Sequence, residues 1–298
     1  MKNLRIKKTI TYMAPRGLEM DIYYPIERRE DMACILTLHG GNFVDGAKDD
    51  ELQLRIIEGF LEKGFIVASA DYTLYMRDNI EKISTMSKFR FFVEFPRLLR
   101  MSIINAIVDL AMMIDGLYYS SEDLHINRDR IVLAGSSAGA IAVLEHDRQR
   151  THFAQKVAPH GWAPLAVIAF SGALTGNSNY EKYAIPAPTL LVHGTKDEMV
   201  QFGGVLPRRL YDGLCGSEIV RRKILKTGGS CKAIWFEGAG HEVSELMPEM
   251  VDEVTEFIDE VICGAHFYGV ERCNVDLGEK AKKWQGKNGL ELMRESLQ

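Results

Sequence analysis

The chain has no apolar run long enough to cross a bilayer, so no membrane span is expected. It has no surplus of cations either. Its 36 Lys and Arg stand against 41 Asp and Glu, a net charge of −5, which argues against a nucleic-acid partner. The HExxH and His-x₃-His spacings are absent, so no metal is expected, and no motif asks for a cofactor. Cysteine is sparse and unpatterned: Cys34, Cys215, Cys231, Cys263 and Cys273 are odd in number and form no CxxC. Cys34 and Cys231 fall in apolar strand-like runs, so the reading is buried free thiols in a reducing compartment, not a disulfide framework. The basic start Met1-Lys2-Asn3-Leu4-Arg5 is not followed by the apolar stretch of a signal peptide. A cytoplasmic location is expected, with export after removal of a leader left open. No repeat or low-complexity tract appears.

What is present is enough for one large core. The 298 residues are 46% apolar, a size at which α/β folds commonly form a single domain. The most informative stretch is Ile131-Val132-Leu133-Ala134-Gly135-Ser136-Ser137-Ala138-Gly139-Ala140. An apolar run enters Gly-x-Ser-x-Gly and an alanine-rich helical pattern leaves it. That order reads as strand, sharp turn and helix with Ser137 at the apex, flanked by glycines because the elbow has no room for a Cβ. The motif alone carries little weight, arising by chance in roughly one chain in ten of this length. Its partners decide.

A serine hydroxyl becomes a nucleophile when an imidazole takes its proton, and a carboxylate fixes the imidazole's tautomer. Downstream, Thr189-Leu190-Leu191-Val192-His193-Gly194-Thr195-Lys196-Asp197 reads as a buried strand ending in a turn that carries Asp197. Glu198 is the adjacent rival for the acid. Ala233-Ile234-Trp235-Phe236-Glu237-Gly238-Ala239-Gly240-His241 reads as a second strand ending in a Gly-rich loop that carries His241, followed by an amphipathic helix from Val243 to about Val261. Upstream, the apolar run Ala33 to Leu38 leads into His39-Gly40-Gly41-Asn42-Phe43. Acyl transfer needs fixed N–H donors where an oxyanion develops, and a Gly-Gly loop lets backbone approach that closely. The backbone N–H groups of Gly41, Asn42 and Ala138 are the expected donors. Phe43 and Ser136 are expected substrate contacts.

These segments, with Asp71-Tyr72, resemble the α/β-hydrolase superfamily. Within it they resemble carboxylesterases with a His-Gly-Gly loop, of the hormone-sensitive-lipase-like and feruloyl/acetyl-xylan esterase-like kinds. The resemblance covers roughly residues 5–262. It implies a mostly parallel doubly wound sheet with helices on both faces, Ser137 as nucleophile, His241 as base and Asp197 as acid. Asp197 is preferred to Glu198 because the His-Gly-x-x-Asp-x-x-Val spacing of such loops lands on it. Asn42 departs from the commonest loop, where a third glycine is usual; a backbone donor survives that change.

Along the chain, Ile6 to Tyr12 and Leu18 to Tyr24 read as an antiparallel pair around Pro15-Arg16-Gly17. Glu51 to Lys63 reads as a helix ended by Gly64, Phe65 to Ala70 as a strand, Leu98 to Tyr118 as a long helix and Pro164 to Phe170 as a strand. Only the residues from Ser171 to Pro188 separate that strand from the acid-bearing one, too few for a large cap insertion. The connection Thr73 to Arg97, with Met76, Met86, Phe89, Phe91, Phe92 and Phe95, is the candidate wall of the site. Residues 1–263 are expected to form the hydrolase domain and 264–298 a charged extension packed on it, with Phe267, Tyr268 and Trp284 as anchors. The expected partner is a small-molecule ester; oligomeric state is not readable. Rivals on the same fold are a prolyl-oligopeptidase-like peptidase, an acyltransferase and a non-catalytic ligand-binding protein. The first usually adds a large N-terminal propeller, which is not expected before Ala33, and the last typically lacks a triad member.

Overall fold

The computed structural model describes residues 6–157, 161–176, 185–203, 213–274 and 277–278. The chain opens with β1 (Ile6–Met13), β2 (Leu18–Tyr23) and β3 (Cys34–Leu38), then α1 (Glu51–Glu62) and β4 (Ile66–Ala70). Next come α2 (Ile80–Ser84), α3 (Lys88–Tyr119), β5 (Ile131–Ser136), α4 (Ala138–Val157), β6 (Ala166–Phe170) and the short β7 (Ala173–Thr175). The last part holds β8 (Thr189–Gly194), β9 (Leu214–Gly216), α5 (Ser217–Lys226), β10 (Cys231–Phe236), α6 (Val251–Ile262) and β11 (Val270–Cys273).

The described residues form a nine-stranded sheet in the order β1-β2-β4-β3-β5-β6-β8-β10-β11. β1 pairs antiparallel with β2, and β2 antiparallel with β4. The pairings from β4 through to β11 are parallel. The central strands are buried along their whole length, as their unbroken apolar runs require of a sheet covered on both faces. Alternate residues serve the two layers. Cys34, Leu36 and Leu38 of β3 pack with α3, α4 and α5, whereas Ile35 packs with α1 and α6. β7 and β9 pair antiparallel as a separate ribbon, Thr175 opposite Leu214.

The helices follow local rules with two departures from the sequence reading. α1 begins where Asp50 accepts a bond from the Gln53 N–H at 2.8 Å, and buries Ile56, Ile57, Phe60 and Leu61. α3 starts at Lys88, not near Leu98, with the Ser87 hydroxyl capping the Arg90 N–H. Pro96 lies inside it and forfeits one backbone bond, but Phe91, Phe95, Leu98 and Leu99 bury on the sheet and carry the helix through. The helix expected from Val243 starts only at Val251. Before it the chain forms 3₁₀ turns over His241–Glu245 and Met247–Met250, the second with Pro248 at its start. Beyond α6, β11 joins the sheet edge and the Phe267 ring packs against Phe257 at a tilt, with centroids 5.0 Å apart. Trp284 and the charged residues Glu279, Lys280, Lys282, Lys283 and Lys287 lie outside the described residues.

Candidate active site

The site stands at the carboxyl ends of β3, β5, β8 and β10, where open parallel sheets gather their functional loops. Ser137 follows β5 and takes φ +50°, a left-handed conformation costly for a non-glycine residue. Its surroundings hold it there: the Ser137 N–H donates to the Phe170 carbonyl at 2.8 Å, and its carbonyl accepts the first bond of α4 from Ile141 at 3.0 Å. The two flanking glycines are sterically required. A Cβ on Gly139 would lie 2.3 Å from the Leu38 carbonyl oxygen, and one on Gly135 would lie 2.4 Å from the Gly139 carbonyl carbon.

His241 and Asp197 are brought to Ser137 by two loops bonded to each other. The Lys196 N–H donates to the Ala239 carbonyl at 2.8 Å, and the Gly238 N–H donates to the Thr195 hydroxyl at 2.9 Å. Ser137 Oγ is 2.9 Å from His241 Nε2, and His241 Nδ1 is 2.7 Å from Asp197 Oδ2. All three side chains are buried. Glu198, the rival acid, points to solvent.

Asp197 is held by more than His241. Its Oδ1 accepts the Met199 and Val200 N–H groups at 3.0 and 2.9 Å, and its Oδ2 also lies 3.2 Å from His193 Nε2. His193 in turn spans Ser217 Oγ at 2.7 Å and the Val200 carbonyl at 2.8 Å. Burial works to raise the Asp197 carboxyl, but the charge of His241 and the bonds from His193 and His241 outweigh it. The group is held well below the ordinary carboxylate range. A carboxylate so placed directs the Nδ1 proton of His241 and leaves Nε2 to accept from Ser137. The sequence reading used His193 as the start of the His-Gly-x-x-Asp-x-x-Val spacing and gave it no role of its own; its place four residues before Asp197 was the available signal.

The loop after β3 is a run of unusual backbone. Gly41, Asn42 and Phe43 have φ of +101°, +53° and +60°. The turn closes with Val44 and Asp45 N–H groups donating to the Gly41 carbonyl at 2.9 and 3.0 Å. Tyr72 supports it from below: its hydroxyl donates to the His39 carbonyl at 2.9 Å, and its ring stacks on His39 with centroids 4.4 Å apart. Burial holds the His39 imidazole below its ordinary value despite the Gly40 carbonyl and the nearby Asp50 and Asp71. Asp71 accepts the Lys48 N–H at 2.9 Å and fixes the far end of the loop.

A small cavity of about 20 Å³ opens beside Ser137. Asn42, Phe43 and Ala138 line it with the serine, and Met76, Phe95, Leu99, Ile141, Val200 and Leu214 make the rest of its wall largely apolar. The structure therefore brings the expected Asn42, Phe43, Ala138 and Ser137 to one cavity, with Gly41 one residue away on the exposed side of the loop. Ser136 stands apart from this cavity. Its hydroxyl is buried and donates to the Ser244 carbonyl, tying the nucleophile strand to the turn that carries His241, and it does not line the cavity. Of the expected wall, Met76 and Phe95 reach the cavity and Phe91 is buried nearby, whereas Phe89 is exposed. Among the described residues no group of three His, Cys, Asp or Glu is disposed to hold a metal ion. No helix among them is long and apolar enough to cross a membrane.

Sheet order, elbow and the chain order Ser, Asp, His together define an α/β-hydrolase fold. The family profile BD-FAE matches residues 20–83, the stretch from β2 into α2 that contains the His-Gly-Gly loop. Solved structures extend the likeness over most of the chain. A thermophilic esterase of the planctomycete Thermogutta terrifontis superposes with a TM-score of 0.58 at 17% identity, over 86% of this chain and 92% of that one. Its butyrate-bound form gives 0.59 at 18% identity, over 85% and 94%. An arylesterase gives 0.59 at 14% identity, over 86% of each chain. No curated protein sequence matches the chain.

Proposed function

We propose that this protein is a serine carboxylic-ester hydrolase working through an acyl-enzyme. The observation that carries the reading is the continuous bonded line from Ser137 Oγ through His241 to Asp197, at 2.9 and 2.7 Å. Ser137 Oγ attacks the ester carbonyl carbon and its proton passes to His241 Nε2. The carbonyl oxygen, now an anion, is met by backbone N–H groups of Ala138 and of the loop at Gly41 and Asn42. The carbon–oxygen bond to the alcohol breaks, and His241 returns the proton to the departing alkoxide. Water then gives its proton to His241 and attacks the acyl-serine; the bond to Ser137 Oγ breaks, the acid leaves, and His241 returns the proton to Ser137 Oγ. The esterase likenesses and the BD-FAE match support the same class of chemistry.

Short-acyl or carbohydrate-linked esters are the proposed substrates. The cavity beside Ser137 is small, and only 18 residues separate β6 from β8 (Ser171 to Pro188), too few for a large cap inserted at that point. The test is hydrolysis of a p-nitrophenyl ester series from acetyl to palmitoyl by wild type and Ser137→Ala. Wild-type turnover on the short members, lowered by at least about 10⁴-fold in the variant, is expected. A preference for palmitoyl would overturn the substrate class. Equal turnover by the variant would overturn the mechanism.

A further inference from the structure

A second pocket of about 270 Å³, partly open to solvent, adjoins the cavity beside Ser137. Leu99 and Leu214 line both, so their side chains are the partition. The two spaces follow one groove between α3 and α4. Phe95, Leu99 and Ile103 recur at helical spacing along α3, and Ile141, Glu145 and Arg148 do so along α4. The partition is braced. Leu214 is paired with Thr175 across the β7–β9 ribbon, and Glu145 accepts both the N–H and the hydroxyl of Thr175, at 2.6 and 2.8 Å. Arg148 holds Glu145 from the other side at 2.8 Å.

Stereochemistry decides which half of an ester enters here. The leaving alcohol must have its oxygen at His241 Nε2 to receive a proton, and His241 does not line the cavity. The group that stays on the serine is therefore the one that fills it. We infer that Leu99 and Leu214 are the specificity-determining residues of the acyl side: they close a short acyl pocket against the second pocket, which would otherwise receive a longer chain. This rests on the esterase reading above. The narrow space beside Ser137 fits a short acyl group such as acetyl or propionyl. Longer linear chains meet the partition, although room for them lies just beyond it.

The test compares kcat/KM over p-nitrophenyl esters from acetyl to decanoyl and, separately, over alkyl acetates from methyl to octyl. Wild type, Leu99→Ala, Leu214→Ala and Leu99→Phe are assayed. The readout is the octanoyl-to-acetyl ratio within each protein, which does not depend on how much of a variant is folded. Each methylene buried against apolar surface is worth about fourfold, and Ile103 and Ile107 offer such surface beside the charged Glu145 and Arg148, so either alanine variant is expected to raise that ratio by at least about tenfold. Leu99→Phe is expected to lower the butyryl-to-acetyl ratio, and the alkyl acetate series is expected to keep its order in all four proteins. Unmoved acyl ratios in both alanine variants, or a shift in the alcohol series instead, would overturn the inference while leaving the esterase reading intact. No turnover of any ester by folded wild type would overturn that reading, and the inference with it.

Discussion

At the scale of single residues the site depends on how completely one carboxylate is occupied. Asp197 accepts from two backbone N–H groups and lies against two imidazoles, so its rotamer has no freedom and its charge is held. Replacing it by Asn is expected to lower kcat by about 10⁴-fold, because the amide directs the wrong His241 tautomer. Glu198→Gln is expected to stay near wild type, since that side chain faces solvent. The opposite ranking in the ester assay would move the acid to Glu198. His193→Leu removes a donor facing Asp197 and leaves the Val200 carbonyl without its imidazole. It is expected to lower kcat by about tenfold with KM little changed, in steady-state assays. Asp197 itself was legible in the sequence from the His-Gly-x-x-Asp-x-x-Val spacing. The anchoring of Ser136 to Ser244 was not, because the partner is a backbone carbonyl 108 residues away.

Elements show the same division between what patterning reveals and what packing decides. The central strands were legible because both of their faces are buried and their sequences are continuous apolar runs. The three-residue strands β7 and β9 carry no periodicity, and β11, Val270–Cys273, is largely exposed, so its place is set by the partner backbone of β10. The early start of α3 was hidden by Pro96, which reads as a breaker until burial of its neighbours is known. The late start of α6 arises because Val243, Leu246, Met247 and Met250 bury from 3₁₀ turns as well as they would from a helix. The elbow offers a direct check on glycine. Gly139→Ala forces a Cβ to 2.3 Å from a backbone oxygen of β3 and is expected to cost about 3 kcal/mol or more in urea unfolding. Gly116→Ala in α3 meets nothing within 4 Å and is expected to stabilise by about 0.4–1 kcal/mol. Equal effects at the two positions would contradict the steric account of the elbow.

Across the whole molecule, one sheet carries four loop ends to one point, and its acid stability should report on that arrangement. His39 is buried with its affinity for a proton below the ordinary value of 6.5, so the unfolded chain takes up a proton more readily than the folded one. Its contribution is fully present above that pH and is lost as pH falls below it; Asp197 adds a second loss below about pH 4. The melting temperature is expected to fall from pH 7 to pH 5, and His39→Gln, though less stable at pH 8, is expected to flatten that slope. An unchanged slope would assign it to other groups. The central claim is that Ser137 is activated by His241. The most direct measurement is labelling of the folded protein with a fluorophosphonate, followed by mapping of the adduct by mass spectrometry. The expected result is one adduct on Ser137 that stops ester turnover and fails to form in His241→Ala. An adduct on another residue, or full ester turnover with Ser137 unlabelled, would contradict the claim.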